Sequence, residues 1–323
     1  VANIKVRDEA HWHELRSRHI GSSEVAALFN ESRFKTAFEL YHEKKGSIEA
    51  DDLRDNERVV LGQFLEPGIA QVFAHLHDLK IRKVHRYIVH DTIRGLGGSL
   101  DFEALWEGKW IPFEVKMTDY SVWKVEWTIT NDQNASTSQI MTAVEPPLDY
   151  DLQVQHQLLL TGAKVALIGV LAGGTAPYLC LRARHEPVVE LIQTRVERFW
   201  NDFANDIAPP ISSGDDLAAV RKLYAEASSE PVADLRNHDI EDDLVSMKAL
   251  NEEIKAREER RDFHKARIIN ALGDSTKGTT ENFMVGCPSI HRPEKKVERI
   301  DRAITYRGGI TFKPLTSKQK DAA

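Results

Sequence analysis

The sequence predicts an α/β protein in which a mixed central sheet is flanked by helices. Three observations predict it. Short alternating segments at 84–90, 98–106 and 110–116 read as strands, the last two forming a hairpin around Glu107-Gly108-Lys109. A nearly unbroken apolar run at 164–171, followed by 177–183, reads as a buried strand with its hairpin partner. Segments of helical character lie before and after both groups.

The elements follow in order. Residues 9–19 form a helix that includes Trp12 and Leu15, and a short helix starting at Ser22 or Ser23 carries Val25, Leu28 and Phe29. Thr36-Ala37-Phe38-Glu39 is a capping box, and Gly46 after Lys44-Lys45 stops the helix it opens. Residues 56–78 form a longer helix with Val59, Val60, Phe64 and Phe73 among its apolar positions; Pro67, directly after Glu66, is expected to kink or restart it. Residues 131–149 are polar, end in Glu145-Pro146-Pro147 and read as a loop. A helix over 150–161 is stopped by Gly162, and Pro187 sits in the first turn of an amphipathic helix through Val188, Leu191, Ile192, Phe199 and Phe203.

Composition shifts after Pro209-Pro210, which sets the expected domains: a core over 1–209 and a mainly helical extension over 210–323. The extension reads as an acidic linker or small helical piece (211–240), a long charged helix (241–272) ended by Gly273, a strand from Thr279 to Val285, and a basic tail around 291–307.

The chain has 323 residues, 41% hydrophobic and 29% charged, with a net charge of −7. That charge argues against a protein that coats nucleic acid, but not against an enzyme that holds it in a local groove. The basic stretches 16–19 and 80–86 read as solvated faces. No run of 18 apolar residues suggests a membrane span, and no apolar leader suggests secretion. Cys180 and Cys287 suggest no disulfide framework and no zinc or iron–sulfur site, so a reducing cytoplasm is expected.

The chemistry concentrates between Gly97 and Lys116. Glu114 and Lys116 are two apart and share one face of a strand, while Asp101 points away from the apolar set Leu100, Phe102, Ala104 and Trp106. Two carboxylates suit a hard divalent cation, and the backbone carbonyl of Val115 and the carboxylate of Glu66, directly or through a water, can add oxygens. Lys116 would lie beside the activated water and orient it, help deprotonate it, or offset charge at the phosphorus. Mg²⁺ or Mn²⁺ would serve equally by ligand type. Downstream, Gln153 and Gln157 are four apart on one helix face, where an amide can hold a water or a phosphate oxygen; His156 between them reads as a helix-face residue or a backbone contact. Arg16 and the serines at 22 and 23, at a helix start, could together hold a terminal phosphate.

These motifs, Trp12 to Arg16, Ile20 to Val25, Gly62 to Glu66, Gly98 to Asp101, Glu114-Val115-Lys116 and Tyr150 to Gln155, resemble in identity and order those of the YqaJ-like viral recombinase nucleases, the lambda-exonuclease-like family, over roughly residues 9–205. The resemblance implies a restriction-endonuclease-like (PD-(D/E)XK) core and Mg²⁺-dependent 5′→3′ exonuclease digestion of double-stranded DNA, leaving 3′ overhangs for annealing recombination. It implies metal binding by Asp101 and Glu114, assistance from Glu66, positioning of the nucleophile by Lys116, and an active-site role for Gln153. It also implies contact of Arg16 and Ser23 with the 5′-phosphate. A ring-shaped homotrimer, a single-strand annealing protein as partner, and a phage or prophage origin in a bacterial host follow from the same source. The extension past residue 210 departs from the simplest family pattern. Two other readings stand beside this one: a structure-specific or single-strand endonuclease of the same fold, and a non-catalytic DNA-binding assembly module.

Overall fold

The structure is a computed structural model, and it describes residues 1–52, 54–129, 140–141, 144–226, 233–236 and 240–289. The chain opens on strand β1 (Ala2–Lys5) and helix α1 (Glu9–Ser17), whose first turn is capped by the Asp8 carboxylate accepting from the His11 N–H. The serines at 22 and 23 do not cap an α-helix. They lie in a turn that leads through Glu24 into a short 3-10 helix, Val25–Phe29. Helix α2 (Ala37–Lys45) has the expected ends: Thr36 accepts from the Glu39 N–H, and Gly46 closes the helix at φ 72°.

Helix α3 (Glu57–Leu76) runs through Pro67 without interruption. The turn that loses a hydrogen bond there is on the solvent side, with Gln63 and Phe64 exposed, so the freed carbonyl stays open to water. Among the described residues α3 is the one helix long and apolar enough to cross a membrane. It lays Ile69, Ala70 and Phe73 on the sheet instead of leaving all its apolar faces outward.

Strands β2 (Ile81–Lys83), β3 (Arg86–Val89), β4 (Gly97–Ser99), β5 (Phe102–Trp106) and β6 (Lys109–Thr118) follow. The strand expected at 84–90 thus begins only at Arg86, and that expected at 98–106 is interrupted at Leu100-Asp101, because the chain passes from one sheet to the other at Val84-His85 and at Leu100-Asp101. Helix α4 (Tyr120–Glu126) precedes three two-residue strands, β7 (Thr128–Ile129), β8 (Ile140–Met141) and β9 (Val144–Glu145). The segment expected as a loop, 131–149, therefore holds two short strands and the start of a helix; its remaining residues 131–139 and 142–143 lie outside the described residues. Helix α5 (Leu148–Thr161), the hairpin β10 (Val165–Ala172) and β11 (Ala176–Ala183), and helices α6 (Glu186–Ala204) and α7 (Asp216–Leu223) complete this part of the chain.

Six strands form one mixed sheet in the order β2-β5-β6-β10-β11-β8, and β1-β3-β4 form a second, smaller one. β5 and β6 are antiparallel, with both turn residues Glu107 and Gly108 at positive φ, and β6 and β10 are parallel. Alternation along β6 sorts its side chains between two layers. Ile111, Phe113 and Val115 pack with Phe73 of α3, whereas Glu114 and Lys116 face α5. On that second side Val154 and Leu158 of α5 pack on Ile168 and Val170 of β10. Leu152, Leu159 and Leu160 pack on Val189, Ile192 and Val196 of α6.

The chain divides into two units, Val1–Leu223 and Tyr224–Ala323. The division falls after α7 and not after residue 209, because Ala219 of α7 is buried with Phe38 and Ile48. The second unit contains helix α8 (Glu241–Leu272), which has no buried residue, and a small antiparallel hairpin of β12 (Lys277–Thr279) and β13 (Met284–Gly286) where a single strand was expected. The basic segment 291–307 lies outside the described residues.

Candidate active site

Glu114 is the centre of the site. Its side chain is 2% exposed, yet each oxygen has partners. Lys116 Nζ lies 2.7 Å from Oε1, and Gln153 Nε2 donates to the same oxygen at 2.8 Å. Gln157 Nε2 donates to Oε2 at 2.6 Å. Lys116 also donates to Gln153 Oε1 at 2.9 Å, which closes a three-membered ring of contacts between strand and helix. The local reasons are periodicities: a strand puts residues two apart on one face, and a helix does so for residues four apart. The Lys116 ammonium lies 4.9 Å from the centroid of the Tyr150 ring, and the Arg33 guanidinium lies 5.3 Å from it. Arg33 is itself held by Asp149 at 3.1 Å and Glu126 at 2.9 Å. Burial opposes the Lys116 charge, but Glu114 beside it more than offsets this, and the pKa is raised.

Asp101 reaches the same place through register. Phe102 pairs with Phe113, so the next step carries Asp101 to the level of Glu114 at the end of the β5–β6 ladder. Burial, then the neighbouring Glu114 and Glu66, push the Asp101 carboxyl up to about 8. Glu66, on α3, is raised by burial and by Glu114. The expected acids are thus within electrostatic reach of one another. Among the described residues, however, no three His, Cys, Asp or Glu side chains converge as a ready-made metal cage, since the Glu114 oxygens are turned to Lys116 and the two glutamines. The donor chemistry nonetheless fits a hard cation. The candidate ligands are all oxygens, the donor type a hard cation takes. The β5–β6 ladder ends at Phe102 and Phe113, one residue before Glu114.

A cleft of about 450 Å³ opens beside the acids. Glu66, Ser99 and Asp101 line it together with Trp12, Lys83 and Arg7. Arg16 lies against this wall, its guanidinium 4.6 Å from the Trp12 ring centroid, and is ion-paired to Glu24 at 2.7 Å. Glu24 is buried and also accepts from Lys44 Nζ at 2.8 Å and from the Gly21 N–H at 3.0 Å. Arg16 is therefore already bound to a carboxylate of the protein. Ser23 is exposed in the turn beyond it.

His156 is buried and meets the Ile20 carbonyl at 3.0 Å through Nε2, a bond that fixes the N–H tautomer there. It joins α5 to the segment before the 3-10 helix and takes no part in the acid cluster. Sequence reasoning left out the grip of Gln157 on Glu114, the two cations around Tyr150, and the basic residues of the cleft. The four-residue spacing of Gln153 and Gln157 was the one signal that pointed to the first of these.

Fold and site define an α/β protein with a buried Asp/Glu/Lys constellation at the edge of a parallel–antiparallel sheet junction, opening to a cation-lined cleft. Residues 11–164 match the model of the YqaJ-like viral recombinase domain. It is 27% identical over 233 residues to the "Uncharacterized protein YqaJ" of Bacillus subtilis (strain 168), spanning 71% of this chain and 67% of that protein. Among solved structures it is similar to LHK-Exo in complex with dAMP (18% identity, TM-score 0.45, 62% of this chain and 94% of that one). It is likewise similar to the alkaline exonuclease LHK-Exo from Laribacter hongkongensis (17% identity, TM-score 0.43, 61% and 94%).

Proposed function

We propose that this chain is a metal-dependent deoxyribonuclease with a restriction-endonuclease-like core that digests double-stranded DNA 5′→3′, leaving 3′ overhangs for single-strand annealing recombination. One observation carries the reading: a lysine–carboxylate pair, Lys116 and Glu114, lies level with a half-buried acid, Asp101, beside a cleft lined by Glu66 and cations. The YqaJ-like viral recombinase domain supports it.

Asp101, Glu114, the Val115 carbonyl and Glu66 would hold Mg²⁺, or Mn²⁺ in its place, and that ion when bound supplies a water ionised at neutral pH and charge neutralisation at the phosphate. Glu114 is oriented for this by Gln153 and Gln157. Lys116, fixed by Glu114 and Gln153, presents a positive charge to the attacking oxygen and to the phosphorus as negative charge accumulates. The water oxygen attacks phosphorus, the bond to the 3′-oxygen breaks, and the proton goes to that leaving oxygen through solvent. The released nucleotide keeps its 5′-phosphate, and the shortened strand ends in a new one. Arg16 and Ser23 are assigned to that 5′-phosphate. A single-strand annealing protein as partner, a trimeric ring and a site of action inside a bacterial host belong to the same reading.

The test is a gel assay on linear duplex labelled separately at each end, with Mg²⁺ and with chelator, beside a covalently closed circle. Loss of the 5′ label first, no cleavage of the circle and no activity in chelator are expected. Cleavage of the circle would make the enzyme an endonuclease, and turnover in chelator would remove the metal.

A further inference from the structure

Three cations line the cleft beside the acids: Arg7, Lys83 and Arg86. They are not equivalent. Arg86 donates to Glu103 at 2.6 Å and to Asn3 at 2.7 Å, so its charge is already matched. Arg7 and Lys83 are exposed, and among the described residues neither makes an ion pair with a carboxylate. Arg7 touches only the neutral-capable ring of His11 at 3.3 Å, and Lys83 lies 5.9 Å from the Phe102 ring centroid. The nearby carboxylate that might have taken Arg7, that of Asp8, is committed to the cap of α1.

Their meeting follows from the sheet. Lys5 pairs with Arg86 in the β1–β3 ladder, so the chain just after β1 and the chain just before β3 enter the cleft together, one bringing Arg7 and the other Lys83. Lys83 is also close enough to Glu66 and Asp101 to oppose the rise in their pKa, which puts its charge within reach of the acid cluster. Cations in such a chain are commonly matched, as at Arg16, Lys44, Arg82 and Arg182. Arg7 and Lys83 have no ion pair among the described residues, and both face the open cleft, where their N–H groups are free to meet the phosphates of a strand laid beside the acids.

We propose that Arg7 and Lys83 form a phosphate subsite that holds the sugar–phosphate backbone of a DNA strand in the cleft beside Glu66 and Asp101. This site is separate from the pocket assigned to Arg16 and Ser23, and it rests on the nuclease reading only for the identity of the strand. It grips the backbone and reads no base, so it serves every nucleotide of the strand alike.

The experiment is equilibrium binding of a fluorescent, 5′-phosphorylated short duplex in EDTA, by anisotropy, over a series of salt concentrations. Lys83→Gln and Arg7→Gln should each weaken binding about three- to tenfold at low salt and reduce the slope of log K against log salt by about 0.9, with the double variant losing about twice that. Lys83→Arg should restore both quantities. Lys109→Gln, at the β5–β6 turn, should change neither. Both glutamine variants alter exposed side chains, so their melting temperatures should match the wild type. Wild-type affinity and slope in both variants, or no binding of DNA by the wild type, would overturn the subsite. If the variants lose binding while the wild type cuts no DNA, the subsite stands and the nuclease reading falls; if the wild type cuts and the variants bind normally, the reverse holds.

Discussion

Gln157 and Glu114 meet across the α5–β6 interface at 2.6 Å, an amide donor on a helix fixing a carboxylate oxygen on a strand. Both side chains are buried, and among the described residues the Gln157 Oε1 has no hydrogen-bond partner. The bond fixes the Glu114 carboxylate, which is proposed to hold the cation with its remaining lone pairs. Gln157→Leu keeps the bulk and removes the donor. Activity, or apparent metal affinity, should fall about 10–100-fold, as when the outer partner of a metal ligand is lost. Cleavage rates measured over a range of Mg²⁺ would check this, and a wild-type metal dependence would strip Gln157 of the orienting role.

Lys116 is held from three sides, by Glu114, by Gln153 and by the Tyr150 ring. That restraint suits a charge that must stay in place as the transition state forms. Lys116→Ala should lower the cleavage rate by about two to three orders of magnitude or more while leaving DNA affinity in EDTA nearly unchanged. Single-turnover rates and anisotropy on the same preparation separate the two quantities. Retained turnover would end its assigned role.

The parts of this site that were legible in the sequence are those set by short periodicities. Glu114 and Lys116 share a face because strands repeat every two residues, and Gln153 and Gln157 because helices repeat near four. The hairpin turn at Glu107-Gly108 then brings Asp101 level with Glu114, so three of the named residues were bound to meet. What stayed hidden depends on contacts between distant parts of the chain. Strands at 84–90 and 98–106 read as continuous because alternation of side chains carries no mark of a change of sheet; the passage between sheets depends on which neighbours pair, and β1, unread in the sequence, is one of them. The pairing of Arg16 with Glu24 depends on Lys44, twenty residues beyond that carboxylate. The role of the basic run at 80–86 depends on where β1 ends.

Gly169 sits on β10 under the ring of Phe73, and a Cβ there would stand 2.6 Å from two ring carbons and 3.0 Å from Phe113. Both phenylalanines are almost fully buried and hold α3 against the sheet. Neither can withdraw without opening the layer that carries Glu66. Gly169→Ala should therefore destabilise the first unit by about 1–3 kcal/mol, the usual cost of overpacking a core. Denaturant midpoints followed by tryptophan fluorescence would show it, since all six tryptophans lie in Val1–Leu223. An unchanged midpoint would mean that α3 shifts freely, and the close packing argued for this layer would be wrong.

Acid should unfold the same unit in two stages, and the signs follow from two buried groups. Burial lowers the His156 pKa from 6.5 to about 4, so below pH 6.5 the unfolded chain takes up a proton that the folded one refuses. Stability is full above that value and falls as pH drops from 6.5 towards 4, by up to ~3 kcal/mol at ~1.4 kcal/mol per pH unit. Burial by itself would raise Glu24, but Lys44 and then Arg16 hold it at about 2, below its ordinary 4.5. Its contribution is present above pH 4.5 and is lost from there down to about 2. The two windows adjoin, but Asp101, whose carboxyl is raised to about 8, gains stability as pH falls through the upper one, so the His156 share is read as the difference between the wild type and His156→Gln. His156→Gln should flatten the upper stage. Lys44→Met should lower stability by about 3–5 kcal/mol already at neutral pH, because Glu24 would remain buried with Arg16 as its one cation. The same dependence of the midpoint on pH between 6.5 and 4 in the wild type and in His156→Gln would show that His156 is not the neutral, buried donor to Ile20 that its contact requires.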